Sequence, residues 1–357
     1  MNIIEEKIYK TKHLDKYKNY FKFIDSITSS YELIDILPNH IKDSFSQDLI
    51  FLKETCKTLD QEKNFIELIS KTNSFLDSLF RSKVNLITYK AFLEVEQNES
   101  VKNTIRSFKP IRGYSNKVYY NTLSNVTGRL TVKSGPSILT LPKKYRSILE
   151  TRFSQGSIIS IDFSSLEPRL CLKLSGKNAN QDLYQEINSI LDLNLNRSVI
   201  KRAIISVLYG AHYTSLKDIS ETKSKALFDC IKDYFCLDKI LAISKNIDKH
   251  GIRRNYEGRP LWNLEEEKEN ILINNYIQSS AVDIALKYFS SLPQILNLEK
   301  AVPLFVLHDA MIFDIQSDYL KEFKLIISQG YEHDKLGNFP LKMEIFNNKN
   351  QGLENEH

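Results

Sequence analysis

Asp162, Arg197, Lys201 and Asp309 are the residues of this chain whose types could move a phosphoryl group, if the fold brings them together. They stand in three segments: Ile161-Asp162-Phe163-Ser164-Ser165-Leu166-Glu167-Pro168-Arg169, Arg197-x3-Lys201-x7-Tyr209-Gly210, and Val306-Leu307-His308-Asp309-Ala310. Two carboxylates on neighbouring strands can share a pair of divalent cations about 3.5–4 Å apart, the arrangement for in-line displacement at phosphorus. Magnesium suits such a pair, with manganese as a substitute, because it takes few carboxylates and leaves positions for water and substrate phosphates. Each segment alone also has a plainer reading, with Asp162 capping the next helix and His308-Asp309 making a turn.

Residues spaced by four drift only about 40° per step around a helix, so Arg197, Lys201 and Tyr209 share one side. At a rise of about 1.5 Å per residue, the two cations lie about 6 Å apart and Tyr209 about 12 Å beyond Lys201. That length matches a nucleoside triphosphate, with cations at the phosphates and the ring near sugar and base. A solvated basic face with Tyr209 in the core is the competing account. Gly210 marks the helix end. Arg129, in Thr127-Gly128-Arg129-Leu130, and Asn274 and Gln278, one helical turn apart, are types that hydrogen-bond acceptors in the minor groove. Arg253, Arg254 and Arg259, with Tyr256 among them, form a basic aromatic patch suited to a nucleic-acid backbone.

The elements that must position these groups follow from periodicity. Residues 1 to about 105 read as helical, with Phe65, Ile66, Leu68, Ile69, Phe75, Leu76, Leu79 and Phe80 at spacings near three and four. Thr58 to Gln61 fits a capping box. Strands are expected at Lys117–Asn121, Ser157–Ile161, Leu304–Leu307, Ala310–Ile315 and Leu341–Ile345, and helices over 166–174, 179–191 and 197–209. A further helical region runs through Phe289, broken by a hairpin-like segment from Gly251 to Pro260. The layout is α+β, with a helical block inserted between strands of one sheet, so that Asp162 and Asp309 can face each other.

At 357 residues the chain can bury a large core and would divide into substructures. A net charge of +5 permits a polyanionic partner only if the cations cluster. Cys56, Cys171, Cys230 and Cys236 lack metal-ligand spacing and read as free thiols in a reducing compartment. With no signal-like N-terminus and no run of about 18 apolar residues, a soluble, cytoplasmic protein with no membrane partner is expected. Abundant Lys, Ile and Asn fit an AT-rich genome, and the small size fits a phage or other mobile element acting in its host's cytoplasm.

Taken together, the segments resemble the polymerase domain of family A DNA polymerases, the bacterial DNA polymerase I type. The family's DYSQIELR, RxxxKxxxFxxxYG and VHDE motifs have counterparts in Asp162–Arg169, Arg197–Gly210 and Leu307–Ala310. Its TGRL matches Thr127–Leu130, its N-x3-Q matches Asn274 and Gln278, and its final strand and His have counterparts in Leu341–Ile345 and His357. The resemblance implies a right-hand fold: N-terminal helices and thumb over 1–108, palm with an antiparallel sheet over 109–177 and 286–357, and fingers over 178–285. It implies primed DNA and dNTPs as partners, Asp162 and Asp309 as ligands for two Mg2+, and Lys201 as a catalytic group that holds the triphosphate with Arg197. Tyr209 would stack near the template base and Ile205 would line the sugar pocket. Arg129, Asn274, Gln278 and His308 would meet the primer-terminal duplex, and Glu167 would exclude a 2′-hydroxyl.

Four departures stand out: Ala310 replaces an acid, Ile205 an aromatic residue and Pro168 a leucine, and Asn270 stands where Arg is frequent. About 108 residues precede the matched region, which leaves no room for a proofreading nuclease; Asp60-Gln61-Glu62 has that nuclease's DxE form but is expected to open a helix. Asp162–Pro168 also resembles the DFxSLYP of family B polymerases, but the Tyr and YGDTDS of that family are absent, as is the YxDD of reverse transcriptases. A single-subunit RNA polymerase would lack Glu167. A polymerase-derived protein that holds primed DNA without copying it is the alternative from a different class. A clamp or helicase partner is conceivable, with no motif behind it.

Overall fold

The structure, a computed structural model, describes residues 37–47, 60–178, 182–192, 195–216, 219–248, 251–261 and 268–347. Thr58 of the expected capping box, Cys56 and His357 lie outside them.

The site rests on a four-stranded sheet. β5 (Gly156–Phe163) is central, flanked by β9 (Ala310–Gln316) and β12 (Leu341–Ile345), and β8 (Ala301–Leu307) closes the far edge, in the order β12-β5-β9-β8. All three pairings are antiparallel. β8 is the most apolar strand, Ala-Val-Pro-Leu-Phe-Val-Leu, and its first six residues are buried. Its Pro303 lacks an N–H for a ladder, and the register shifts between Pro303 and Phe305 at this edge. In β5, Ile161 and Phe163 are buried, so strand alternation turns Asp162 to the opposite face. The Phe163 ring packs against Tyr288 at 5.6 Å and Phe289 at 5.8 Å. A Phe163→Ala change would cost about 3–5 kcal/mol.

Two apolar cores share one long helix. The first joins the sheet to residues from Phe75 to Leu170. The second is built by α4 (Leu166–Leu174), α5 (Leu183–Leu191), α6 (Arg197–Leu208), α7 (Glu221–Tyr234) and α8 (Leu237–Lys245). Helix α9 (Glu269–Ser291) gives Leu272, Tyr276 and Ile277 to the second core and Ala281 through Phe289 to the first. Its apolar residues therefore run around the helix rather than along one stripe, as burial on several sides requires.

The N-terminal part differs from an all-helical expectation. α1 (Asp60–Asp77), α2 (Leu86–Val95) and α3 (Glu99–Arg106) are helical, but Lys83–Val84 forms a short strand, β1, against Leu149–Glu150, β4. Phe65 and Leu68 are buried as the periodicity requires, whereas Phe80 lies exposed past the helix end. A two-residue strand has no periodicity of its own; its distant partner dictates it. For the same reason β3 (Thr131–Ser134), paired with β2 (Tyr119–Asn121), and the hairpin β10 (Tyr331–His333) with β11 (Gly337–Phe339) are absent from the strands expected from sequence.

Candidate active site

A cleft of about 390 Å³ opens above the sheet, and the three segments meet in it. Asp162 stands next to last on β5, directly opposite Ala310 of β9. His308-Asp309 forms the tight turn from β8 to β9, with Leu307 facing Ala310 across the hairpin. Phe163 N–H donates to the Asp309 carbonyl at 3.2 Å, which ties the turn to β5. His308 holds a left-handed φ of 53°, a conformation a non-glycine residue adopts at a cost of about 1–3 kcal/mol and one that clusters at functional sites.

Proximity of the two carboxylates has an electrostatic cost. Burial pushes Asp162 up to about 6, and the Asp309 carboxylate adds to the rise, while Lys342 opposes it. Asp309 is also raised, first by burial and then by Glu167, against the pull of its own backbone N–H. Two acids that resist ionising together are the signature of a site lacking positive charge. Lys342 partly supplies it, through a 3.0 Å ion pair with Asp162.

Glu167 lies in the first turn of α4, where Ser165 serves as N-cap in a left-handed conformation (φ 58°). Pro168 falls within that first turn, where backbone nitrogens have no helical partner, so the helix accepts it. Burial raises the Glu167 carboxyl, and Tyr209 and Arg129 hold it back. Tyr209 donates to Glu167 at 3.0 Å and accepts from Arg129 Nη2 at 2.9 Å. Tyr209 itself caps α6, and the chain then turns through Gly210 at φ 85°. A Cβ at this glycine would collide with the Asn270 side chain, so both backbone and space demand glycine.

Arg197 and Lys201 line the cleft from α6, with Ile205 between them and Tyr209. Arg197 pairs with Asp182 at 2.9 Å and stacks on the Tyr184 ring at 4.7 Å. Asp182 also caps α5, accepting from Tyr184 N–H and Gln185 N–H. Burial pushes this carboxyl up, but Arg197 and the two amides outweigh it and hold it below the ordinary range. Tyr184 reaches Ser165 Oγ at 2.7 Å.

Arg129 and His308 also line the cleft. Burial, then the Arg129 charge, pushes the His308 imidazole down toward its neutral form. Gln278 stands behind Arg129: with its amide turned to satisfy both neighbours, it donates to Thr127 Oγ1 at 3.0 Å and accepts from Arg129 at 3.0 Å. Asn274 is one turn away on α9, outside the cleft, with a buried Oδ1 that meets no donor among the described residues.

Arg253 and Arg254 form β6, outside the cleft, paired with Pro260–Leu261, β7. Arg254 is matched by Asp248 at 2.8 Å. Arg259 departs from the surface patch expected for it. It is 2% exposed, bound to Asp283 through Nε (2.8 Å) and Nη2 (2.6 Å), and stacked on Phe65 at 5.0 Å. Its guanidinium occupies the space that a Cβ at Gly128 would need, so it supports the turn carrying Arg129. Sequence reasoning missed Lys342, Tyr184 and Asp182.

Among the described residues, no three His, Cys, Asp or Glu side chains are grouped to hold a metal by themselves. Asp162 and Asp309 nevertheless fit magnesium: hard oxygens, few in number, beside open cleft volume for water and phosphate oxygens. No helix of the described residues is long and apolar enough to cross a membrane.

The sheet that carries the two acids and the helix that carries the two cations belong to a fold that a solved structure shares. The polymerase domain of Pol1 from M. smegmatis, in complex with DNA primer-template and dNTP, superimposes with a TM-score of 0.56 at 18% sequence identity. The match covers 69% of this chain and 50% of that one, so the chain spans about half the length of that structure. The model of DNA polymerase family A matches residues 44–352, and the chain belongs to that family. No curated protein matches it significantly.

Proposed function

We propose that the chain is a template-directed DNA polymerase that adds dNTPs to a primer 3′ end. The observation that carries this reading is the convergence of Asp162 and Asp309 with Glu167, Arg197 and Lys201 on one cleft. Asp162 and Asp309 would hold two Mg2+, which when bound supply charge neutralisation at phosphorus and lower the pKa of the attacking hydroxyl. Arg197 and Lys201 orient the triphosphate along α6, and Lys201 stabilises the charge that develops on the leaving pyrophosphate. Tyr209 leaves its bond to Glu167 and meets the nascent pair, and Glu167 crowds the position of a 2′-hydroxyl, with Ile205 on the sugar's other side. Arg129, braced by Gln278, reads minor-groove acceptors with Asn274, and neutral His308 supports the primer end. Arg253 and Arg254 are the backbone contacts of the hairpin.

In this reading residues 109–177 and 286–357 are the palm, 178–285 the fingers and 1–108 the thumb region. In the same reading the chain extends without excising a mismatch; Asp60-Gln61-Glu62, which has the DxE form of a proofreading nuclease, opens α1. Primer extension with purified protein, dNTPs and Mg2+ or Mn2+ tests the reading. Template-dependent product is expected. Binding of primed DNA without product in either metal would overturn it in favour of a non-catalytic accessory.

A further inference from the structure

One row of the sheet crosses the carboxylate site, and its charges are unusual. β12, β5 and β9 align Lys342, Asp162 and Ala310 side by side, all on one face. Asp162 therefore has an ammonium on one flank and a methyl group on the other. Lys342 Nζ lies 3.0 Å from Asp162 Oδ2 and 3.3 Å from Glu344 Oε1, two residues along the same strand and on the same face. The side chains of Lys342 and Glu344 are 45% and 57% exposed, so the ammonium can shift between the two acids without repacking a core.

From this geometry we infer that Lys342 is a tethered counter-cation of the carboxylate site, which a divalent ion must displace from Asp162 and which Glu344 then receives. The inference rests on Asp162 as a metal ligand. Two consequences follow, of opposite sign. Removing the ammonium leaves Asp162 uncompensated and more attractive to a cation. Removing Glu344 takes away the ammonium's second ion-pair partner among the described residues, so it holds Asp162 more firmly. A unit charge a few ångström from a partly exposed carboxylate changes cation affinity by about tenfold after solvent screening. Lys342 is thus a positioning residue that sets the divalent-ion requirement and need not touch substrate.

The test is Mn2+ binding to the full, chelator-stripped chain without DNA or dNTP, read from the loss of the free-ion electron paramagnetic resonance signal. Lys342→Met should bind Mn2+ about tenfold more tightly than the parent, Lys342→Arg should match the parent, and Glu344→Gln should bind a few-fold more weakly. Asp162→Asn should bind at least tenfold more weakly than the parent. If Asp162→Asn weakens binding but Lys342→Met binds no better than the parent, the counter-cation role is lost and the metal reading survives. If Asp162→Asn binds like the parent, the metal reading fails and Lys342 loses its role with it. Cooperative urea unfolding of every variant shows that each is folded and confines these shifts to the site, and Glu344→Gln tests the same exchange with Lys342 intact.

Discussion

The two walls of the cleft are built on different physical terms. On the sheet side, antiparallel register places Asp162 beside Ala310, and a backbone bond from Phe163 holds the Asp309 turn. The acids there are fixed and partly buried: burial raises both, Asp309 adds to the rise at Asp162, and Glu167 adds to the rise at Asp309. On the helix side, Arg197 is 61% exposed and already engaged by Asp182 and Tyr184. The strand wall holds electrostatic repulsion that a bound cation would relieve, whereas the helix wall holds Arg197 on exposed partners that a phosphate would replace in the proposed reading.

Neutralising the strand wall should break the comparison most severely. Asp309→Asn should lower primer extension on the order of a thousandfold, with primed-DNA binding retained. The same change should make the metal-free protein more stable, read as a higher urea midpoint. The sign follows from the raised carboxyl: its stabilising, protonated form is lost as pH rises through the elevated value, so at neutral pH the charge opposes folding. An Asp309 that merely shaped a turn would give unchanged extension.

Glu167 stands between the walls. Glu167→Ala should raise ribonucleotide relative to deoxynucleotide incorporation by about 10–100-fold, the range a steric pocket commands. Competition between rNTP and dNTP in single-nucleotide extension checks it, and unchanged sugar selectivity would remove Glu167 as the gate.

On the helix wall, Lys201→Ala should reduce kcat by about 10–100-fold, the worth of one charge-assisted hydrogen bond at a phosphate. Single-turnover extension separates this from binding: an unchanged rate at saturating dNTP would assign Lys201 to the ground state alone.

What could be read from sequence tracks how far apart the determining residues lie. Arg197, Lys201 and Tyr209 share one helix, so spacing alone placed them on one side, and Gly210 marked its end. Asp162 and Asp309 were legible because each follows an apolar run that reads as a strand, and the resemblance to known motifs joined them. Lys342 was not legible. Nothing near it singles it out, and it matters only because β12 pairs with a strand nearly 180 residues earlier in the chain. Arg259 was misread for the complementary reason: an arginine in a basic stretch looks solvated until Asp283, on another element, is seen to bury it. The two-residue strand β1 fails similarly, since its conformation belongs to its pairing with β4.

The gentlest test concerns the exchange on α6. Asp182 caps α5 through its side-chain oxygen and also occupies Arg197. Asparagine caps about as well as aspartate but carries no charge. Asp182→Asn should therefore keep α5 intact while freeing the guanidinium. An ion pair this exposed is worth no more than about 1 kcal/mol, so the dNTP KM should fall by about two- to fivefold with kcat nearly unchanged. If KM rises instead, Asp182 does not compete with the triphosphate but aims Arg197 at it, and the helix wall would be as preset as the strand wall.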